Sequence, residues 1–246
     1  MSAVTAPSAP GTAAQAPAAG RKRKLGMAID LDRCLGCWAC AIACKEENNI
    51  PLGLWWNRVL TAGGGDDDVE EPEGLGMVLE GPLTEGAGDP LQMGYLPLSC
   101  QHCEDPPCAK VCPTGATYKR DQDGIVLVDY DKCIGCRYCM AACPYGVRVF
   151  NWGKARRVPD FDYGEVAARP AGVVEKCTFC VHLVDRGELP ACVAACPGQA
   201  RIFGDLNDPD SAVSRAIVAK GGFRLLEDKN TRPQVFYLSS RRRRVL

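Results

Sequence analysis

The stretch that decides the fold is Asp131–Gly146, DKCIGCRYCMAACPYG. Cys133, Cys136 and Cys139 recur at three-residue intervals, whereas Cys143 comes four residues later and is followed by Pro144. Structural zinc sites usually combine two separated C-x2-C knuckles, and this run has no second knuckle. It matches the C-x2-C-x2-C-x3-C-P run of bacterial ferredoxins, whose fourth cysteine ligates the other cluster of a two-cluster pair. A cubane offers iron at separate corners, so one short loop can place successive thiolates on three of them. The fourth thiolate then leaves on a helical turn, and the proline directs the chain away from helix.

The same ending, a third cysteine, three residues and a fourth, occurs in three further groups. Group one is Cys34, Cys37, Cys40 and Cys44; group two is Cys100, Cys103, Cys108 and Cys112. Group three is the opening stretch, and group four is Cys177, Cys180, Cys192 and Cys196. Pro113, Pro144 and Pro197 each follow a fourth cysteine, while group one departs with Lys45. Group four could mimic a zinc site, since its halves are C-x2-C and C-x3-C. An even count of 16 cysteines is compatible with disulfides, but they are clustered, and no secretory apolar segment opens the sequence. The four spacings together favour iron–sulfur clusters over zinc or disulfides.

Composition narrows the function further. The formal charge is −1, but cluster ligation deprotonates the thiols. Sixteen thiolates around four oxidised cores would bring the net charge to about −9, which disfavours nucleic acid as a partner. No apolar run reaches the roughly eighteen residues a membrane span requires. A Gly-rich dinucleotide fingerprint, a P-loop and a Ser/His/Asp arrangement are all lacking, so no direct small-molecule substrate is expected.

The 246 residues divide around the cysteine groups. Residues 1–24 read as a disordered Ala/Pro-rich segment ending in a solvated basic linker, without the apolar region of a twin-arginine signal. Residues 61–94 read as an inserted Gly-rich acidic loop. Strands are predicted in MAIDLD, IVLVDYD, VRVFNW and ARIFGDL, with a hairpin over Ala116–Asp129 turning at Asp123-Gly124. Helices are predicted to begin after third cysteines, at Ala39–Glu47 and Met140–Cys143, and over Ser211–Gly221. The sequence closes on a strand-like PQVFYLSS and Arg241–Arg244, read as a solvated tail.

The remaining chemistry-bearing side chains read as supporting ones. His102 and His182 each sit inside or beside a C-x2-C pair, but no cysteine is missing for a Rieske site, so both are expected to be structural or to hydrogen-bond near a cluster. Arg33, Lys132 and Lys176 precede first cysteines, where a cation would favour the reduced cluster. Trp38, Trp55, Trp56, Trp152, Tyr138 and Tyr145 are expected to be core or interface aromatics.

CPTGATYKR, CIGCRYCMAACPYGVR and EKCTFCVHLVDRGELPACVAACP closely resemble the iron–sulfur subunits of the dimethyl sulfoxide reductase family, and the likeness covers most of Met27–Asp208. Within it the protein looks most like polysulfide, thiosulfate and tetrathionate reductase subunits. The resemblance implies an α+β, duplicated bacterial two-cluster ferredoxin fold, with short hairpins, short helices and loop insertions. Groups one and four would form one module (25–60 plus 165–210), groups two and three the other (95–164), followed by a C-terminal extension over 211–246. Carried over by residue, Cys100, Cys103 and Cys108 share a cluster with Cys143, and Cys133, Cys136 and Cys139 share one with Cys112. Cys34, Cys37 and Cys40 take Cys196, leaving Cys177, Cys180 and Cys192 with Cys44. Four 4Fe–4S clusters would then relay electrons between a molybdopterin (molybdenum or tungsten) catalytic subunit and a quinone-reactive membrane anchor. A formate dehydrogenase or hydrogenase β subunit, and a soluble polyferredoxin, are the alternatives. The resemblance implies membrane association through a partner, on the cytoplasmic side or, by co-export with the catalytic subunit, on the other.

Overall fold

Why the cysteine groups meet is written in the strand pairing. The computed structural model describes residues 22–62, 94–153 and 168–240. The Ala/Pro-rich segment, most of the acidic insertion and Arg241–Arg244 lie outside them. The elements are β1 (Leu25–Asp30), α1 (Ala39–Glu47), β2 (Asn57–Ala62), β3 (Gly94–Ser99), α2 (Pro107–Lys110), β4 (Thr117–Lys119) and β5 (Val126–Val128). They continue with α3 (Tyr138–Ala141), β6 (Val149–Phe150), β7 (Val174–Glu175), α4 (Val181–Val184), α5 (Ala191–Ala194), β8 (Arg201–Asp205), α6 (Ala212–Lys220) and β9 (Val235–Leu238).

Each cysteine group lies between a strand that precedes it and a strand that follows it. The strand after one group pairs antiparallel with the strand before the next: β2 with β3, β4 with β5, and β6 with β7. The last such pair closes the circle, because β8, after group four, pairs antiparallel with β1, before group one. β9 adds to the other edge of β1 in parallel, from Met27↔Val235 to Asp30↔Leu238. Three local hairpins and one long-range pairing therefore carry all four groups. Of the hairpins β4–β5 was predicted, and β6–β7 and β2–β3, whose strands flank the insertion, were not.

The core is thin and follows this ring. Met27 and Ile29 of β1, Leu96 and Leu98 of β3, Ile125 and Tyr237 are fully buried, and Trp56 and Phe179 fill the space between hairpins. Nine of the sixteen thiol residues are buried among them, so the cysteines are part of the core rather than its decoration. Trp56 Nε1 donates to Glu175 Oε2 at 3.3 Å, and the Arg169 guanidinium lies 4.6 Å above the Trp56 ring.

Short helices stop where their sequences require. The turn predicted at Met140–Cys143 starts earlier, after Arg137 in the left-handed region, and its C-cap is Ala142. Pro144 disfavours α geometry at Cys143, so the helix ends before that cysteine. α6 follows prediction: Ser211 Oγ accepts from Ser214 N at 3.2 Å, and Gly221 (φ 61°) closes the helix. Lys24, from the basic linker, is tethered: its backbone N–H donates to Asp205 Oδ1 at 2.8 Å and its Nζ pairs with Glu104 at 2.9 Å.

Gly135 shows how tight the cysteine loops are. At φ +72° a Cβ would stand 2.4 Å from the Gly172 carbonyl oxygen, whereas at Gly187 (φ +82°) it would meet nothing within 4 Å. Gly187→Ala is expected to cost about 1–2 kcal/mol, the left-handed penalty alone. Gly135→Ala should lower the melting temperature further, because backbone must also move; equal losses in calorimetry would show that the close approach carries no cost.

Candidate metal centres

The four C-x2-C loops share one backbone device. The residue just before the second cysteine has positive φ in all of them: Gly36 (67°), His102 (42°), Gly135 (72°) and Phe179 (54°). The left-handed turn folds the backbone back so that a main-chain N–H meets the first thiol. His102 N donates to Cys100 Sγ at 3.5 Å, Phe179 N to Cys177 Sγ at 3.4 Å, and Gly36 N to Cys34. Fourth cysteines are served from downstream: Thr117 N donates to Cys112 Sγ at 3.4 Å and Ala200 N to Cys196 Sγ at 3.2 Å. Such donors favour the thiolate form and tune whatever it binds.

These loops bring thiols from different groups together. Cys100, Cys103, Cys108 and Cys143 line one cavity, with about 330 Å³ of non-atom space that includes open solvent. Cys112, Cys133, Cys136 and Cys139 line a second of about 310 Å³, and Cys34, Cys37, Cys40 and Cys196 a third of about 340 Å³. Cys44, Cys177, Cys180 and Cys192 face one another in the interior. Burial pushes the Cys44 thiol well above its usual range, and the neighbouring Cys177, Cys192 and Cys180 push it further. Asn48 Nδ2 lies 3.4 Å from Cys180 Sγ and 3.9 Å from Cys44 Sγ. In each quartet, three thiols come from one group and the fourth from another.

The donor set fits a multi-iron cluster better than a single ion. The thiols surround a space rather than a point, and among the described residues no three Cys, His, Asp or Glu side chains are placed to hold one metal ion. Burial raises the thiol pKa of Cys103 and Cys192 to about 12, and that of Cys177 further still. Unaided, such thiols stay protonated at neutral pH, so their ionisation needs positive charge inside the quartet.

The quartets also fall into an order. Cys100 contributes to raising the Cys177 pKa, which sets the 100/103/108/143 and 44/177/180/192 quartets side by side. Both are largely buried. The other two reach the surface, where Cys37 and Cys136 are exposed. Exposed Leu35 and Trp38 flank the first, and exposed Ile134, Tyr138 and Trp152 flank the second.

The supporting side chains divide less as expected. His102 is fully buried, its Nδ1 accepts from Val126 N at 3.1 Å, and its ring stacks on Phe179 at 3.7 Å. Burial, then Lys176 and Arg148, hold it neutral, well below the usual histidine range. His182 instead meets Glu47 at 2.7 Å near the surface. Of the three cations before first cysteines, Arg33 reaches Gln199 at 3.3 Å and Lys132 pairs with Asp129 at 2.9 Å. Lys176 is buried, its ammonium held by the carbonyls of Val126 and Cys177. The cations that do reach thiols are Arg148 and Arg201, which sequence reasoning passed over. Their signal was positional: each is the fifth residue after the fourth cysteine of its group, Cys143 or Cys196. Trp56 and Tyr145 are buried, whereas Tyr138 and Trp152 are exposed.

Thiol quartets shared between loops on short hairpins define a ferredoxin-like iron–sulfur protein. In keeping with this, residues 91–158 and 125–197 each match a 4Fe-4S dicluster domain. A Halobacterium salinarum protein, provisionally named as the iron–sulfur subunit of a dimethyl sulfoxide reductase, is 56% identical over 215 residues, 87% of this protein and 78% of its own length. The arsenate respiratory reductase iron–sulfur subunit of a Shewanella species is 38% identical over 88% of this protein and 97% of its own length. A polysulfide reductase component of Wolinella succinogenes is 37% identical over 89% and 96%. The protein belongs with them, to the iron–sulfur electron-transfer subunits of the dimethyl sulfoxide reductase family. Among the described residues no helix is long and apolar enough to cross a membrane.

Removing the buried acceptor of His102 tests its supporting role. His102→Leu leaves the Val126 N–H unpaired and is expected to cost about 1–3 kcal/mol in unfolding experiments. Its iron content should equal that of the unmodified protein; a loss of iron at unchanged fold would make the imidazole a ligand.

Proposed function

We propose that each quartet holds one 4Fe–4S cluster, four in all, and that the protein relays single electrons from one exposed end to the other. The observation that supports this most directly is the thiol sharing: each fourth cysteine lines the cavity, or joins the buried set, of another group's first three. When bound, such clusters accept and release one electron at a time.

The ligands are then Cys34, Cys37, Cys40 and Cys196; Cys44, Cys177, Cys180 and Cys192; Cys100, Cys103, Cys108 and Cys143; and Cys112, Cys133, Cys136 and Cys139. The protein supplies thiolates, main-chain N–H donors and exclusion of water. The rings of His102, beside Cys103, and Phe179, beside Cys180, stack on each other and join the two inner loops. Exposed Cys37 and Cys136 mark the two places where an electron can cross to another protein. Two ferredoxin modules, with boundaries at 25–60 plus 165–210 and at 95–164, are the proposed duplication, and the cyclic strand pairing supports it.

Two outlets suit a relay between two partners. Relatives are named as components of dimethyl sulfoxide, arsenate and polysulfide reductases, and another is named for menaquinone reduction. On that ground we assign this protein a molybdopterin catalytic subunit at one outlet and a quinone-reactive membrane subunit at the other. Membrane association would come through that second partner. The substrate is turned over by the catalytic partner, and this protein is a redox subunit.

Anaerobic purification with iron, sulfide and zinc analysis tests the reading. About sixteen irons and as many sulfides per molecule are expected; bound zinc in their place would refute it. Cys143→Ser should alter the EPR signal of the cluster held by Cys100, Cys103 and Cys108. A change confined to the cluster of Cys133, Cys136 and Cys139 would show that thiols are not shared.

A further inference from the structure

Two arginines occupy a place that neither the cluster ligation nor the partner assignment explains. Arg148 and Arg201 are 4% exposed, yet among the described residues neither pairs with a carboxylate. An uncompensated buried guanidinium is costly, so its counter-charge must lie close by.

Both arginines meet thiols of two quartets at once. Arg201 Nη2 lies 3.5 Å from Cys40 Sγ, and its Nη1 lies 3.8 Å from Cys192 Sγ. The first thiol belongs to the 34/37/40/196 quartet and the second to 44/177/180/192. Arg201 also lines the cavity of the former. Arg148 lines the 100/103/108/143 cavity, and its partner Thr117 lines the cavity of the 112/133/136/139 quartet, so that its charge acts on Cys108 and Cys100 of the one and on Cys139 of the other.

The arrangement is built twice from equivalent parts. Each arginine stands where a strand begins after a fourth cysteine, β6 for Arg148 and β8 for Arg201. Each is oriented by a neutral polar residue that opens the strand of the partner group. Thr117 Oγ1, the start of β4, accepts from Arg148 Nη1 at 3.3 Å; Asn57 Oδ1, the start of β2, accepts from Arg201 Nη2 at 2.9 Å. Arg148 Nη2 has no further hydrogen-bond partner. Lys176, the other buried cation nearby, is turned to carbonyls instead.

We propose that Arg148 and Arg201 are shared counter-charges, each serving one outer quartet and the inner quartet beside it. The proposal rests on the four-cluster reading above. An electron entering either cluster of a pair adds one negative charge and no proton. The guanidinium between them favours that charge on both sides, so it raises and couples two potentials together. Arginine suits this role, because its planar fork reaches two acceptors and it does not deprotonate.

The test is an EPR-monitored redox titration of the anaerobically purified full-length protein and its Arg148→Gln, Arg201→Gln, Arg148→Lys and Arg201→Lys variants. Arg148→Gln should lower two of the four midpoints, each by at least tenfold in the oxidised-to-reduced equilibrium, which is about 59 mV for one electron. Arg201→Gln should lower the other two. Each lysine variant should recover most of its shift. Unchanged midpoints, a shift of one cluster alone, or an equal shift of all four would overturn the proposal. Where a glutamine variant fails to load its two clusters, the lysine variant decides. Loading with lysine supports charge compensation; failure with both shows that the side chain is needed for shape and not charge. Iron analysis of the unmodified protein keeps the premises apart: without about sixteen irons, the cluster reading itself fails.

Discussion

Everything in this structure depends on a thiol leaving its own loop. The fourth cysteine of each group is carried by α1 or by a short helical turn into the quartet of another group, so no group is complete alone. That requirement fixes the strand pairing. The strand after each group must run beside the strand before the next, and the ends of the ring must meet at β1 and β8. Groups one and four, farthest apart in sequence, are thereby neighbours in space.

Energetically the protein is unlike an ordinary domain of its length. Its strands are short, several of its helices are single turns, and much of its interior is sulfur. Buried guanidinium groups that meet no carboxylate among the described residues would burden an apo protein, whose raised-pKa thiols stay neutral. With clusters in place the same groups compensate one another. On the proposed reading, folding and cluster insertion would be one coupled process, as in other metal-dependent domains. The left-handed turns at His102 and Phe179 carry local strain, whereas Gly36 and Gly135 take the same turn without it.

Much of this was legible in the sequence. The spacing in CIGCRYCMAACP identified the ferredoxin motif, and short β-like runs marked β1, β5, β6 and β8. Ser211 and Gly221 bounded α6 by simple capping chemistry. The hairpin β2–β3 escaped because residues 63–93 separate its strands, and Pro97 lies within GYLPLS, where a proline argues against a strand. Arg148 and Arg201 escaped for a different reason. Charged residues are almost never fully buried, so adjacency to a first cysteine directed attention to Arg33, Lys132 and Lys176. Depth, rather than sequence distance, decides which cation a cluster meets. Likewise His102 and Phe179 could not be seen to stack, because their contact joins groups two and four through space.

The central claim is that four metal clusters lie in a row, each held by thiols from two groups. An anomalous difference map at the iron edge, from crystals of anaerobically purified protein, measures this directly. The account predicts four iron peaks, one within each quartet, with the 34/37/40/196 and 112/133/136/139 quartets at the ends. Fewer peaks, or any peak ligated by the four cysteines of a single group, would contradict it.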